Sequence, residues 1–274
     1  MRFYDPNTTP CERHDSLELW PGLPEKEGAK KCIKMGLYPS VTTVLNVLRE
    51  EYLERWLIKE AIKEFQGGKT VEESVAEIYD RESPNAIFGT ECHAVAEEWF
   101  GAPIEEVSAK ARIHAAPLIR WFEGNVKEII FSERFLTSPS MKVAGAIDLG
   151  FIDNKDRRIV GDIKVVKFSD KFPPSPGLSY RCQLSGYREM LREDDGHDYH
   201  RMSLYLASPF GWDRKPKLRI FEHEHCYLPA FKACRLLWEE QVAQPSLLTY
   251  EPSKAVKESP SPATFDPTQF RNTK

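Results

Sequence analysis

Asp162 and Lys164 stand two residues apart in IVGDIKVVK, Ile159–Lys167, whose other residues are those of a buried strand. The stretch AGAIDLGFI upstream carries a second acid, Asp148, and Asp153–Arg157 joins the two stretches as a hairpin connection. A three-residue turn centred on Lys155 pairs residues symmetrically about it, which sets Asp148 directly opposite Asp162. Such a pair has Cβ atoms roughly 4.5–5.5 Å apart on one face of the sheet. Two carboxylates held there repel, and burial sharpens the repulsion, so positive charge belongs between them. Period two puts Lys164 on the same face. Lys164 could supply that charge alone, as a structural ion-pair cluster, or a divalent cation could, because oxygen ligands from two strands suit Mg²⁺ or Mn²⁺. A register slip of one residue would turn one acid to the other face.

The elements that must position these residues follow from periodicity. Residues 1–38 mix Pro, Gly and charge and read as irregular or short hairpin structure. From Ser40, a candidate N-cap, helical spacing continues to about Phe65 and closes at Gly67-Gly68, with a further short helix over 70–82. A helix is expected from Asn85 to Phe100, with Cys92, Val95, Ala96 and Trp99 as its apolar stripe, and another over 105–124. The period then changes to two: strands over 127–138, 142–153 and 159–167, a helix over 178–193, strands over 201–208 and 216–225, and a helix over 229–243. Helices preceding a block of strands predict an α/β protein with a central mixed sheet flanked by helices and a helical N-terminal portion. The expected organisation is one domain over 1–243, mainly helical in 39–124 and α/β from 126, and a Pro-rich flexible tail over 244–274.

Four motifs in order extend the pattern. GTECHAVAEEWF places Gly89 and His93 at G-x-x-x-H spacing, AGAIDL gives G-x-x-D at Gly145 and Asp148, GDIK gives D-x-K, and QLSGY sets Gln183 and Tyr187 one helical turn apart. Together they resemble the PD-(D/E)XK nucleases, and within them the RecB-like exonuclease branch; YPSVTTVL is similar to the N-terminal part of its phage-encoded and mitochondrial members. The resemblance spans Tyr38 to Arg192. It departs from the family pattern in having Ile147 rather than Pro before the first acid, and the shorter Asp162 at the D/E position. The cysteines that hold an iron–sulfur cluster in some relatives are missing, so no such cluster is expected.

The resemblance implies a restriction-endonuclease-like core and a metal-dependent DNA exonuclease acting in recombination, repair or replication of phage or cellular DNA. Asp148, Asp162, His93 and the Ile163 carbonyl would hold Mg²⁺ or Mn²⁺, and Lys164 would orient or deprotonate the attacking water. Gln183 and Tyr187 would steer the DNA backbone, although Tyr187 also fits an apolar stripe. Glu133, in FSERF, is a candidate outer acid or ligand of a second ion. Ser40, Thr42, Lys167 and Arg181 are candidate DNA contacts, with an N-cap explaining Ser40 equally well. DNA is the expected partner, beside a recombinase, single-strand-binding protein or helicase. The alternatives are a catalytically silent nuclease-fold binding protein and a structure-specific endonuclease.

Composition narrows the field. A net charge of −4 on 274 residues excludes a protein that coats nucleic acid through a general positive field. The six cysteines form no C-x-x-C pair, and no window nears the roughly eighteen apolar residues of a membrane span. The first residues lack the apolar run of a secretory signal, so the cytoplasm (the host's, for a phage protein) is the expected location.

Overall fold

A computed structural model describes residues 1–8, 12–21, 23, 25–48, 62, 66–68, 70, 84–101, 106–167, 175–210 and 215–243. The chain divides into two units, Met1–Gln244 and Pro245–Lys274. The expected tail, most of the helical run beyond Leu48 and all but the first residue of the short helix over 70–82 lie outside the described residues.

The second half of the first unit is a five-stranded mixed sheet of order β4-β5-β6-β7-β8. Its strands are β4 (Val126–Ser138), β5 (Val143–Asp153), β6 (Arg158–Val166), β7 (His200–Ala207) and β8 (Leu218–His223). Only β6 and β7 run parallel among these neighbours, because helix α6 (Leu178–Asp195) carries the chain back between them. The β5–β6 hairpin closes as its sequence predicts, with Leu149 opposite Gly161 and Ile152 opposite Arg158. Asp153 holds the turn: Oδ1 accepts the Lys155 and Arg157 amides, and Oδ2 the Arg157 side chain.

Helices cover both faces. Two of them, α4 (Pro84–Trp99) and α5 (Ala109–Asn125), bury Phe88, Cys92, Leu118 and Phe122 against Phe151, Ile163 and Leu204. Gly101, at φ +90°, ends α4 in the left-handed region, and Ser108 caps α5 by accepting the Ala111 amide. The opposite face packs under α6 and α7 (Leu228–Ala243) through Leu184, Phe231 and Trp238.

The N-terminal part contains the short hairpin expected there, an antiparallel pair of strands, and adds helices that were not expected. Residues 1–38 hold a three-stranded sheet with β3 (Tyr38–Pro39), in the order β2 (Arg13–Asp15), β1 (Arg2–Tyr4), β3, and two helices, α1 (Ser16–Leu19) and α2 (Glu25–Lys34). The buried residues of α2 are Gly28, Ala29 and Cys32, too small to write an apolar stripe into the sequence. Helix α3 (Val41–Leu45) starts where expected, with Ser40 accepting the Thr43 amide.

One half-buried histidine, His223, makes stability pH-dependent. Nε2 of His223 lies 2.9 Å from Ser203 Oγ. Burial, with Arg181 and Arg201 nearby, lowers its pKa from the ordinary value to about 4. The folded chain therefore resists a proton that the unfolded chain accepts near pH 6.5, so stability is full above that pH and lost as pH falls toward 4. Allowing for the ring's partial exposure, His223→Gln is expected to remove about 1 kcal/mol of the stability loss between pH 7 and pH 5. Urea midpoints at the two pH values measure it; equal losses in both proteins would refute the assignment.

Candidate active site

The sheet forks where β5 and β6 part. After Leu149↔Gly161 the next rung would be Asp148 against Asp162, but Asp148 Oδ2 there accepts the Ile163 amide at 2.8 Å, standing in for a backbone partner. Along β5, Ile147 belongs to the core under α6 and Leu149 to the core under α4 and α5. The strand thus changes faces across Asp148, and the fork can be reached by side chains from both helical layers.

From the α6 side come Gln183 and Tyr187. Asp162 is fully buried, and its Oδ1 accepts from Lys164 Nζ at 2.7 Å and from Gln183 Nε2 at 3.0 Å. The same Gln183 nitrogen lies 3.1 Å from the Tyr187 hydroxyl. Asp162 Oδ2 is buried without a hydrogen-bond partner, which is costly for a carboxylate oxygen. Burial raises the Asp162 pKa; Lys164 offsets part of the rise and Asp148 adds to it. Burial works against the charge of Lys164 too, but Asp162 and Asp148 outweigh it and hold the ammonium above its ordinary pKa. Lys164 also lies 5.5 Å from the ring centre of Tyr180. Burial, with Asp162 and Asp148 nearby, pushes the Tyr187 hydroxyl well up, so it stays protonated. Packing and site geometry coincide at Tyr187, because a methyl added at Gly145 would come within 3.0 Å of its ring. The glycine of G-x-x-D is thus what lets β5 pass under the tyrosine of Q-x-x-x-Y.

From the α4 side comes His93. Its Nε2 lies 3.0 Å from the Ile163 carbonyl, which can only accept, so Nε2 carries the proton. The other ring nitrogen, Nδ1, faces Asp148 Oδ2, 3.7 Å away. A metal-binding histidine is usually oriented this way, its other N–H tied to a carbonyl or carboxylate. The Ile163 carbonyl, expected as a ligand, here orients His93. A methyl at Gly89, one turn earlier, would touch only Val165 at 3.9 Å, an ordinary contact.

Two more acids complete the ring of charge. Glu97, one turn after His93, has its pKa raised by burial, with the His93 ring opposing and Asp148 adding. Sequence reasoning missed it, although i, i+4 spacing from His93 on a helix was the available signal. Glu133 occupies the rung opposite Asp148, between Ser132↔Leu149 and Arg134↔Ile147, with φ +50°. Crowding by protein raises its pKa, and the charges of Glu97 and Asp148 raise it further. Beside these acids opens a cleft of about 550 Å³, lined by His93, Glu97, Glu133, Phe135, Arg2 and Arg13 among others.

The remaining candidates lie apart. Ser40 is buried and donates to Thr43 Oγ1 while capping α3, so the cap accounts for it, and Thr42 pairs with its hydroxyl. Arg181 is engaged with the Pro176 carbonyl and the Tyr227 hydroxyl, lining a separate pocket with His223. Lys167 is exposed just past the end of β6.

The donor set, two carboxylates and an imidazole around an orphaned carboxylate oxygen, fits a hard divalent cation. It is not a finished cage: among the described residues no three His, Cys, Asp or Glu side chains stand together as a metal-binding group.

No family model matches the chain, and no curated protein matches it. Among solved structures it is similar to a protein of Eubacterium rectale provisionally described as an exonuclease, at 15% identity and TM-score 0.44, covering 75% of this chain and 79% of that one. A second, designated SSO0001, matches at 14% identity and TM-score 0.30, covering 71% of this chain and 88% of that one. Both scores fall below 0.5, and any functional reading rests on the fork itself. Among the described residues no helix is long and apolar enough to cross a membrane.

Proposed function

We propose that this chain is a divalent-metal-dependent DNA exonuclease of the PD-(D/E)XK type, RecB-like branch, with its nuclease domain over 1–243. The observation that carries the reading is the fork: a buried Asp162 held by Lys164 and Gln183, facing an Asp148 that is anchored on the Ile163 amide and met by an oriented His93. An ion is not required to hold these strands, since Lys164 already balances Asp162. Yet Lys164 leaves Asp162 Oδ2 unsatisfied and does not reach the Glu97 and Glu133 side of the cleft.

Asp148, Asp162 and His93 would hold Mg²⁺ or Mn²⁺, which when bound polarises a phosphodiester and acidifies a water. Lys164, held on Asp162, is placed to orient or deprotonate the attacking oxygen and to stabilise charge building on the phosphate. Gln183 fixes Asp162 and Tyr187 together, keeping Oδ1 turned toward Lys164. Work on DNA ends in recombination, repair or replication, beside a recombinase, single-strand-binding protein or helicase, is the setting this chemistry suits.

The test is degradation of end-labelled single- and double-stranded DNA with Mg²⁺, Mn²⁺ or EDTA, beside circular single-stranded DNA. The expected result is metal-dependent shortening of linear strands with circles resistant. Circles cut as fast as linear strands would remove the exonuclease reading, and no cutting of any substrate would remove the enzyme.

A further inference from the structure

We propose that the wall of the cleft built by the N-terminal sheet is a lane for single-stranded nucleic acid, with Arg2 and Arg13 on its phosphates and Phe135 beneath a base. This deepens the nuclease reading and rests on it for the polymer's identity. The β1–β2 register sets Tyr4 opposite Arg13, and period two adds Arg2, so the three share one face of the small sheet. All three line the cleft that Glu97, Glu133 and His93 border from the other wall. Both arginines are exposed, and neither forms an ion pair with a carboxylate among the described residues, although acids line the same cleft. The charge is therefore available to an anionic ligand.

The position of these arginines is built in. The Arg2 carbonyl accepts the Ser40 amide at 2.9 Å, and the Arg2 amide donates to Thr43 Oγ1 at 3.2 Å. The YPSVTT segment, expected to touch phosphate itself, instead fixes the strand that carries Arg2. Phe135 leaves 41% of its surface exposed beside the site, which the fold does not require. Its ring lies 6.2 Å from that of Tyr4, which in turn lies near enough to Tyr187 to raise the latter's pKa. Cation, ring and catalytic fork thus follow one another along the cleft. A ligand with negative charge and a flat apolar face at every repeat is a nucleic-acid strand with unstacked bases, since a duplex hides those faces. The cleft's volume of about 550 Å³ is on the scale of one nucleotide rather than of a duplex.

The test is fluorescence anisotropy of a labelled oligothymidylate and a blunt hairpin duplex in EDTA, so that binding is read without cleavage. The proteins are wild type, Arg2→Gln/Arg13→Gln, Phe135→Leu, and Lys127→Gln as a control. Lys127 pairs with Asp156 at the far end of β4 and removes equal charge outside the cleft. The double arginine variant is expected to bind the single strand about tenfold or more weakly, and to lower the slope of log K against log salt by about 1.4, or ~0.7 per phosphate contact. Phe135→Leu is expected to lose about tenfold with the slope unchanged, while Lys127→Gln stays near wild type. A wild-type protein that ignores single strands, an arginine variant with the wild-type slope, or losses matched by Lys127→Gln would each overturn the lane. Expected binding losses in a wild-type protein that degrades no DNA would instead overturn the nuclease reading and leave the lane standing.

Discussion

Lys164→Met is expected to lower the rate of DNA degradation by about 10²–10⁴-fold while single-strand binding in EDTA stays within a few-fold of wild type. The loss follows from position. Lys164 is held 2.7 Å from Asp162, so it is the side-chain cation beside any ion that Asp162 would hold and beside a phosphate brought to that ion. The same substitution has a separate effect on folding, which shows whether the residue is catalytic or merely structural. Without Lys164, the buried Asp162 has lost the group that restrained its rise in pKa. Its folded pKa then stands further above the unfolded one near 3.9, so the folded chain is favoured at low pH and loses stability as pH rises through that window. At pH 8 the cost approaches the ~3–5 kcal/mol of a broken buried pair, and at pH 5 it is much smaller because the carboxyl takes a proton instead. Asp162→Asn/Lys164→Met removes both charges and is expected to regain most of the stability at pH 8 while remaining inactive. Denaturant midpoints at pH 5 and 8 beside the cleavage assay separate the effects. A single variant retaining more than a tenth of wild-type activity would rule out the role given to Lys164.

Much of this site was legible because local rules agreed. The turn at Asp153–Arg157, the two-residue spacing of Asp162 and Lys164 on β6 and the i, i+4 spacing of Gln183 and Tyr187 each constrain one element, and the fold brings Asp162, Lys164 and Gln183 into contact. What escaped depended on tertiary juxtaposition or on residues without a pattern. Helix α2 falls in a stretch whose sequence reads as irregular or short hairpin structure, because Gly28, Ala29 and Cys32 are buried by small size, not by a large apolar stripe. Glu97 looked like one more charge on an amphipathic helix until the fork placed Asp148 beside it. The contribution of Arg2 and Arg13 requires β1 and β2 to pair at the cleft, a contact between short strands with no sequence signature. Asp148 was found, but not its second task of carrying the Ile163 amide where the ladder ends.

That second task lets charge and shape be separated at Asp148. Asp148→Asn keeps an acceptor for the Ile163 amide and removes the negative charge, whereas Asp148→Ala removes both. The charge acts on the fold in both directions, since it raises the pKa values of Asp162, Glu97 and Glu133 and also helps hold Lys164 charged. Those carboxyls are more easily ionised once it is gone, while Lys164 loses one of its two partners, so at neutral pH Asp148→Asn is expected to stay close to wild type in stability. Asp148→Ala leaves the amide of the buried Ile163 unpaired, and is expected to be about 1–3 kcal/mol less stable than Asp148→Asn. In the cleavage assay the order differs: both variants are expected to fall by about 10³-fold or more, because an amide oxygen neither binds a divalent ion as a carboxylate does nor balances Lys164. A group whose neutral isostere leaves the fold intact and abolishes the reaction is retained for its charge. Thermal unfolding and initial cleavage rates of the two variants measure both halves. Asp148→Asn within tenfold of wild-type activity would remove Asp148 from the metal site, and equal stability of the two variants would remove its hold on Ile163.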